Sequence, residues 1–255
     1  MSKVIGIDLG TTFSAIASLD DLGNPEVLAS IEDNRKITAS AIYINGNNVT
    51  VGDKALNHIK EEPKKVVLQT KREMENDVVY SVDHGKWTDD KDLVDAYTPA
   101  QVSSLILKKL KDYTTDVKKA VITVPAMFAE KARQATLDAA KLADLEVIEL
   151  INEPTAAVLH YASLPGVEVG GRVMIFDLGG GTFDVTFAEV KNKKVDVLTS
   201  RGDKYLGGRD FDKEITKLMK KKYHDIHKVD IDIENKKEYL QKAEEVKKIL
   251  SVKNK

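Results

Sequence analysis

One short pattern occurs twice in this chain, far apart. Val4 to Leu19 reads VIGIDLGTTFSAIASL, and Arg172 to Val190 reads RVMIFDLGGGTFDVTFAEV. In each copy an apolar run ends in an aspartate, Asp8 or Asp177. A leucine, glycine, threonine and phenylalanine follow, and the apolar pattern then resumes. Two strand-like runs joined by a glycine turn predict a β-hairpin. Gly179, Gly180 and Gly181 free the second turn for unusual backbone shapes and for close approach of a ligand. Bare N–H groups in such a turn form a concavity that suits phosphate. A carboxylate at the strand end suits the hydrated Mg²⁺ that accompanies phosphate. Two copies of one device predict two similar lobes, each offering a hairpin to one shared cleft.

The intervening chain reads as a mixture of strands and helices. Gly23-Asn24-Pro25 marks a turn before a strand over Glu26 to Ile31, and residues 41–51 read as a hairpin turning at Asn45 to Asn48. A short helix over 52–60 is broken by Glu61-Glu62-Pro63. Residues 73–95 are polar and read as irregular. Thr98-Pro99 is a helix start, with Val102, Leu105, Ile106 and Leu110 on one face. Ala120 to Val124 is a strand, 129–143 a helix and Val147 to Ile151 a strand. Asn152-Glu153-Pro154 opens a helix through Ser163. This β-α-β-α alternation predicts an α/β fold. Leu164-Pro165-Gly166 and Gly170-Gly171 punctuate the boundary between the lobes. Beyond them, Val195 to Thr199 reads as a strand and Asp210 to about Tyr223 as a lysine-rich helix. Lys237 to Val252 reads as an amphipathic helix with Leu240, Ala243, Val246, Ile249 and Leu250 inward.

Composition excludes several classes. Charged residues make up 31% of 255 and the formal net charge is −2, which gives no footing for nucleic acid or an anionic membrane. There are no cysteines, hence no disulfide and no thiol catalysis. No apolar run reaches membrane-spanning length. The start MSKVIGID lacks secretory or transit features, so the cytosol is the expected compartment and the Asn48-Val49-Thr50 sequon is expected to stay unmodified. His224 and His227 have H-x-x-H spacing but no third ligand, and read as a solvated helix end. No Walker-type phosphate loop is present. On its own the Lys71-Arg72 pair reads as a solvated surface feature. Glu153 is either a ligand group at a strand-to-helix junction or an acid favoured by the helix dipole.

A run of blocks resembles the nucleotide-binding domain of the heat-shock protein 70 family, the DnaK-type chaperones. These are IGIDLGTTFS (5–14), EDNRKITAS (32–40), VGDKA (51–55), TKR (70–72), VITVPAMFAEKARQAT (121–136), INEPTAAVLHYA (151–162), FDLGGGTFDV (176–185) and LGGRDFD (206–212). They stand in family order over nearly the whole chain. The resemblance implies an actin-like ATPase (ribonuclease H-like) fold, with two lobes around a nucleotide cleft. The first lobe would span 1–165, with an insertion at about 38–98. The second would span 166–255, divided at 205/206, and would be incomplete because the family's domain continues further. Implied with it are ATP or ADP, Mg²⁺, a J-domain co-chaperone and a nucleotide-exchange factor.

The roles implied by that resemblance fall on named positions. Asp8 and Asp177 would hold Mg²⁺ through its waters. Gly10, Thr11, Thr12, Phe13, Gly179, Gly180, Gly181 and Thr182 would bind phosphate. Lys71 matches the family's essential lysine, and Glu153, Asp184 and Thr182 would organise the attacking water. Gly207, Gly208, Glu244, Lys247, Lys248 and Ser251 fall on nucleoside-side positions, although a lysine-rich helix face also reads as simply solvated. Pro125 and Arg133 match relay positions toward a peptide-binding domain. The chain departs from the family at Lys248, where arginine is usual, at Arg209, where an acid is common, and at Ala39, where proline is usual. Phosphoryl transfer needs mainly positioning and charge neutralisation, which this set supplies. A non-catalytic binding module, an actin-like filament ATPase and, more weakly, a small-molecule kinase are the other readings.

Overall fold

A computed structural model describes residues 3–167, 170–191, 194–234 and 236–252. β1 (Lys3–Asp8) and β2 (Phe13–Leu19) pair antiparallel as the expected hairpin, with Asp8 opposite Ala15. β3 (Pro25–Val27) pairs with the end of β2, and β4 (Thr38–Ala39) with its start. β5 (Ala41–Asn45) and β6 (Asn48–Val51) form the second expected hairpin. α1 (Asp53–Leu56) and two 3₁₀ turns lead to β7 (Val66–Leu68), which pairs with the other edge of β5. A third 3₁₀ turn, Thr70–Glu73, carries Lys71 and follows Gln69 at φ 60°. A left-handed residue without glycine is strained, and such strain tends to gather at functional sites.

Residues 73–95 are more ordered than their polarity predicts. β8 (Val79–Ser81), β9 (Lys86–Thr88) and β10 (Ala96–Tyr97) form a three-stranded sheet. Tyr80 is buried, and its ring meets Trp87 edge-on at 5.3 Å between centroids. Strands of two or three residues are too short to display an alternation. The third strand is also shorter than expected, since β3 ends at Val27 and Ile31 is exposed.

α2 (Pro99–Lys111) starts on Thr98 in a full capping box. Gln101 N–H donates to the Thr98 hydroxyl at 3.2 Å, and Thr98 N–H donates to Gln101 Oε1 at 2.8 Å. β11 (Val117–Val124), α3 (Glu130–Leu142), β12 (Glu146–Asn152) and α4 (Glu153–Ser163) follow. β1 runs parallel to β11, and β11 to β12, so the main sheet is ordered β12-β11-β1-β2-β3. Ile5 and Ile7 of β1, Ala120 and Ile122 of β11, and Val102, Leu107 and Leu110 of α2 make its core. That core fixes the ends of β1 and β12, where Asp8 and Glu153 stand.

β13 (Gly171–Leu178), β14 (Phe183–Lys191) and β15 (Lys194–Asp203) form an antiparallel sheet, longer at β15 than the expected strand. Met174, Phe176 and Leu178 point outward from β13 and are exposed. α5 (Gly208–His227) begins two residues earlier than expected and continues past Tyr223. α6 (Lys237–Val252) packs against α5. Its inward set is smaller than the pattern predicts. Leu240 and Ala243 are buried, whereas Ile249 and Leu250 are exposed. His224 pairs with Asp230 at 3.0 Å. Among the described residues no helix is long and apolar enough to cross a membrane.

Candidate functional site

The first hairpin turns so tightly that a Cβ on Gly10 would lie 2.0 Å from the Phe13 carbonyl oxygen. Only glycine fits there. Two serines brace the turn. Gly10 N–H donates to Ser14 Oγ at 3.2 Å, and Ser40 Oγ donates to Gly10 O at 2.8 Å. The two hydroxyls meet at 2.8 Å, and because the Ser40 proton is committed to Gly10, Ser14 is the donor between them. Ser40 N–H also donates to Thr12 O at 2.8 Å.

The second hairpin sets Asp177 opposite Asp184 and closes with Gly179 N–H donating to Thr182 O at 2.9 Å. The two tips touch. A Cβ on Gly180 would sit 1.8 Å from Thr12 Oγ1, and one on Gly181 would sit 2.4 Å from Thr11 Cγ2. α5 supports the second tip from below. Gly208 and Arg209 N–H groups donate to Gly179 O and Gly180 O, each at 3.0 Å, and Gly207 N–H donates to Asp210 Oδ2 at 2.9 Å. The N–H groups of Gly207 and Gly208 are thus spent on the protein.

Lys71 and Glu153 form a buried ion pair, their side chains 7% and 14% exposed. Three other acids act on this pair: Asp8, whose Oδ1 accepts from the Thr123 hydroxyl at 2.7 Å, and Asp177 and Asp184. Burial pushes the Glu153 carboxyl up; Lys71 opposes this, and Asp8 and Asp177 add to it. Burial also raises Asp177, with Asp8 adding and Lys71 opposing. Asp184 rises through burial and then through Asp177. Four carboxylates around one ammonium leave an excess of negative charge. Among the described residues no three acids or histidines approach closely enough to hold a metal directly. This donor set fits a cation that keeps its own water shell, as Mg²⁺ does.

A cavity of about 460 Å³ opens on the other side of the touching tips. Thr11, Thr12, Phe13, Gly179, Gly180, Gly208, Glu244, Lys247 and Lys248 line it. Lys247 faces Asp212 at 2.7 Å and donates to Gly208 O at 2.8 Å. Lys248 pairs with Glu244 at 2.8 Å and lies 5.7 Å above the Phe13 ring. Ser251 instead turns back to its own helix, donating to Lys247 O at 2.9 Å. Thr182 and Asp184 line a separate small crevice with Pro125 and Phe128. Most of the expected residues fall into two groups, the cavity lining and the buried charge cluster, while Ser251 joins neither.

Arg72 carries a connection to which the sequence reading gives no role. Its Nε donates to Gly181 O at 2.7 Å, and its guanidinium pairs with Asp210. Burial pushes Asp210 up, but Arg72 and Lys213 outweigh it and hold the carboxyl below its usual range. The turn bearing Lys71 is thereby tied to the second hairpin and to α5. Arg133 donates to Asn152 Oδ1 at 2.7 Å, one residue before Glu153. Ser40 and Thr123 act on partners far along the chain, so the sequence displays no role for them, and Ser14 joins Ser40 as well as nearby Gly10.

A family model described as "Hsp70 protein" matches residues 4–255. Proteins named "Chaperone protein DnaK" from Thermotoga petrophila, Thermotoga maritima and Thermotoga neapolitana are each 37% identical over 236 residues. The alignments cover 89% of this chain and 37% of each relative, so the chain spans little more than a third of their length. With a family match across nearly all its length and both glycine hairpins in place, the chain belongs to the Hsp70 family and has its actin-like ATPase fold.

Proposed function

We propose that this chain binds ATP and ADP with Mg²⁺ and hydrolyses ATP, as the nucleotide-binding domain of a DnaK-type chaperone. One observation carries the reading. Two glycine hairpins meet tip to tip, with a buried Lys71–Glu153 pair and three further acids behind them. Residues 1–165 form one lobe, with 38–98 as an insertion, and 166–255 belong to the other. The cavity takes the nucleoside between Phe13 and α6, with Glu244, Lys247 and Lys248 along its wall. Hairpin N–H groups and the hydroxyls of Thr11, Thr12 and Thr182 hold the phosphate chain. Asp8 and Asp177 would hold Mg²⁺, which would supply charge neutralisation to the phosphates. Lys71 sets a positive charge beside the terminal phosphate and orients the attacking water. Glu153, its pKa raised by burial, accepts the proton of that water, and Asp184 helps to hold it. J-domain and nucleotide-exchange partners act on this unit in the same reading.

Calorimetric titration and turnover of the 255-residue chain test it. Saturable Mg·ATP binding is expected, weakened in Asp177→Ala. In Lys71→Ala turnover should fall by about 10²–10⁴-fold with binding largely kept. Turnover unchanged in Lys71→Ala removes the catalytic assignment. No nucleotide binding by a folded chain removes the whole reading in favour of a non-catalytic module.

A further inference from the structure

Arg209 is a cation without a partner inside the cavity. Its backbone is fixed, because its N–H donates to Gly180 O at 3.0 Å at the start of α5. Arg209 lines the cavity together with Thr12 and Gly180. Among the described residues its guanidinium makes no hydrogen bond and no ion pair. The acids nearest in the chain are engaged elsewhere, Asp210 with Arg72 and Asp212 with Lys247. Those two acids still attract the Arg209 charge, but more weakly than burial and a neighbouring cation oppose it. Burial and then Arg72 push its guanidinium down, and Arg209 in turn presses on Lys237, which lines the same cavity.

Like charges brought together in a partly desolvated space cost free energy unless an anion joins them. A guanidinium matches two oxygens of a phosphate in a fixed fork, and such charge-assisted bonds are among the stronger ones. We propose that Arg209 is a ligand for the phosphate chain of the nucleotide bound in this cavity, so that the site distinguishes nucleotides from nucleosides through a side chain as well as through the hairpin backbone. This rests on the nucleotide-binding reading above.

The test is calorimetry of the 255-residue chain, of Arg209→Gln and of Arg209→Lys, with adenosine, ADP and ATP in Mg²⁺ and with inorganic phosphate. Arg209→Gln should weaken ADP and ATP by about 10–100-fold. Adenosine affinity should stay within about twofold, and Arg209→Lys should recover part of the loss. Without ligand, Arg209→Gln should melt no lower than the parent, because burial and Arg72 together outweigh the attraction of Asp210 and Asp212 for the lost charge, and no hydrogen bond goes with it. Equal losses for adenosine and ADP, or a variant that no longer melts cooperatively, mark Arg209 as structural and overturn the proposal. So does unchanged ADP affinity in a chain that binds ADP, or an effect confined to inorganic phosphate. A parent chain that binds none of the nucleotides removes the nucleotide-binding reading and this proposal together.

Discussion

Four carboxylates, Asp8, Glu153, Asp177 and Asp184, share one ammonium, Lys71, and the energetics of the site follow from that imbalance. Three of them, Glu153, Asp177 and Asp184, have raised values in the folded chain. The contribution of each is therefore fully present below its ordinary value, 4.5 for Glu153 and 3.8 for the aspartates. It is lost as pH rises through the folded value. At neutral pH the ligand-free domain carries the cost of keeping these carboxylates charged, burial first and their mutual repulsion second. Removing one charge should relieve it, so Asp177→Asn should melt about 2–4 °C higher than the parent without nucleotide or Mg²⁺, for roughly 1 kcal/mol. Mg²⁺ should raise the melting temperature of the parent at pH 7.5. That gain should shrink as pH falls through the raised carboxylate range, because protons then do the work of the cation. Scanning calorimetry at several pH values checks both. A lower melting temperature for Asp177→Asn would mean that the aspartate contributes bonds that outweigh the cost of burying its charge.

Elements differ in how openly they declare themselves. α2 shows its start in Thr98-Pro99, where the helix begins as that pair predicts, and Gln101 completes a capping box that the pair alone does not show. Thr98→Ala should cost about 1 kcal/mol. For a chain of this size that is roughly 2–4 °C in melting temperature. Nucleotide affinity should not change, because α2 packs on the core of the main sheet and does not line the cavity. Calorimetry of the variant with and without ADP separates the two effects. The glycine hairpins were equally legible, since Asp8, Asp177 and the glycines are local features of sequence. The β8–β10 sheet was not, because its strands are two or three residues long and Tyr80 is buried only once they pair. The outer half of α6 was misread for the opposite reason. Its periodicity continues through Ile249 and Leu250, but the described residues offer nothing for them to pack against. The bracing of Gly10 by Ser40 and the hold of Arg72 on Gly181 join positions distant in the chain, and no window of sequence displays them.

At the scale of the whole molecule, one lysine ties two walls of the cavity to each other. Lys237, at the start of α6, donates to Pro63 O at 2.7 Å, Val66 O at 2.6 Å and the Tyr80 hydroxyl at 2.7 Å. Tyr80 in turn donates to Lys64 O at 2.8 Å. The α6 wall, with Leu240 and Gln241, is thereby tied to the wall formed by Leu56, Ile59 and Leu68. Burial and then Arg209 push Lys237 down from 10.5 to about 8, while burial pushes the Tyr80 hydroxyl up and keeps it neutral. The closed state therefore binds fewer protons than an open state with Lys237 in water. Between about pH 8 and 10.5 rising pH should favour closure, by up to about 1.4 kcal/mol per pH unit. Stopped-flow release of a fluorescent ADP analogue reads this directly. In the parent, release should slow as pH rises above 8. Lys237→Met removes the hydrogen bonds that tie α6 to Pro63 O, Val66 O and the Tyr80 hydroxyl, which should speed release about tenfold at pH 7.5. The variant should also lose the alkaline slowing. A variant that releases nucleotide at the parental rate, with the same pH profile, would show that the two walls separate without breaking this contact.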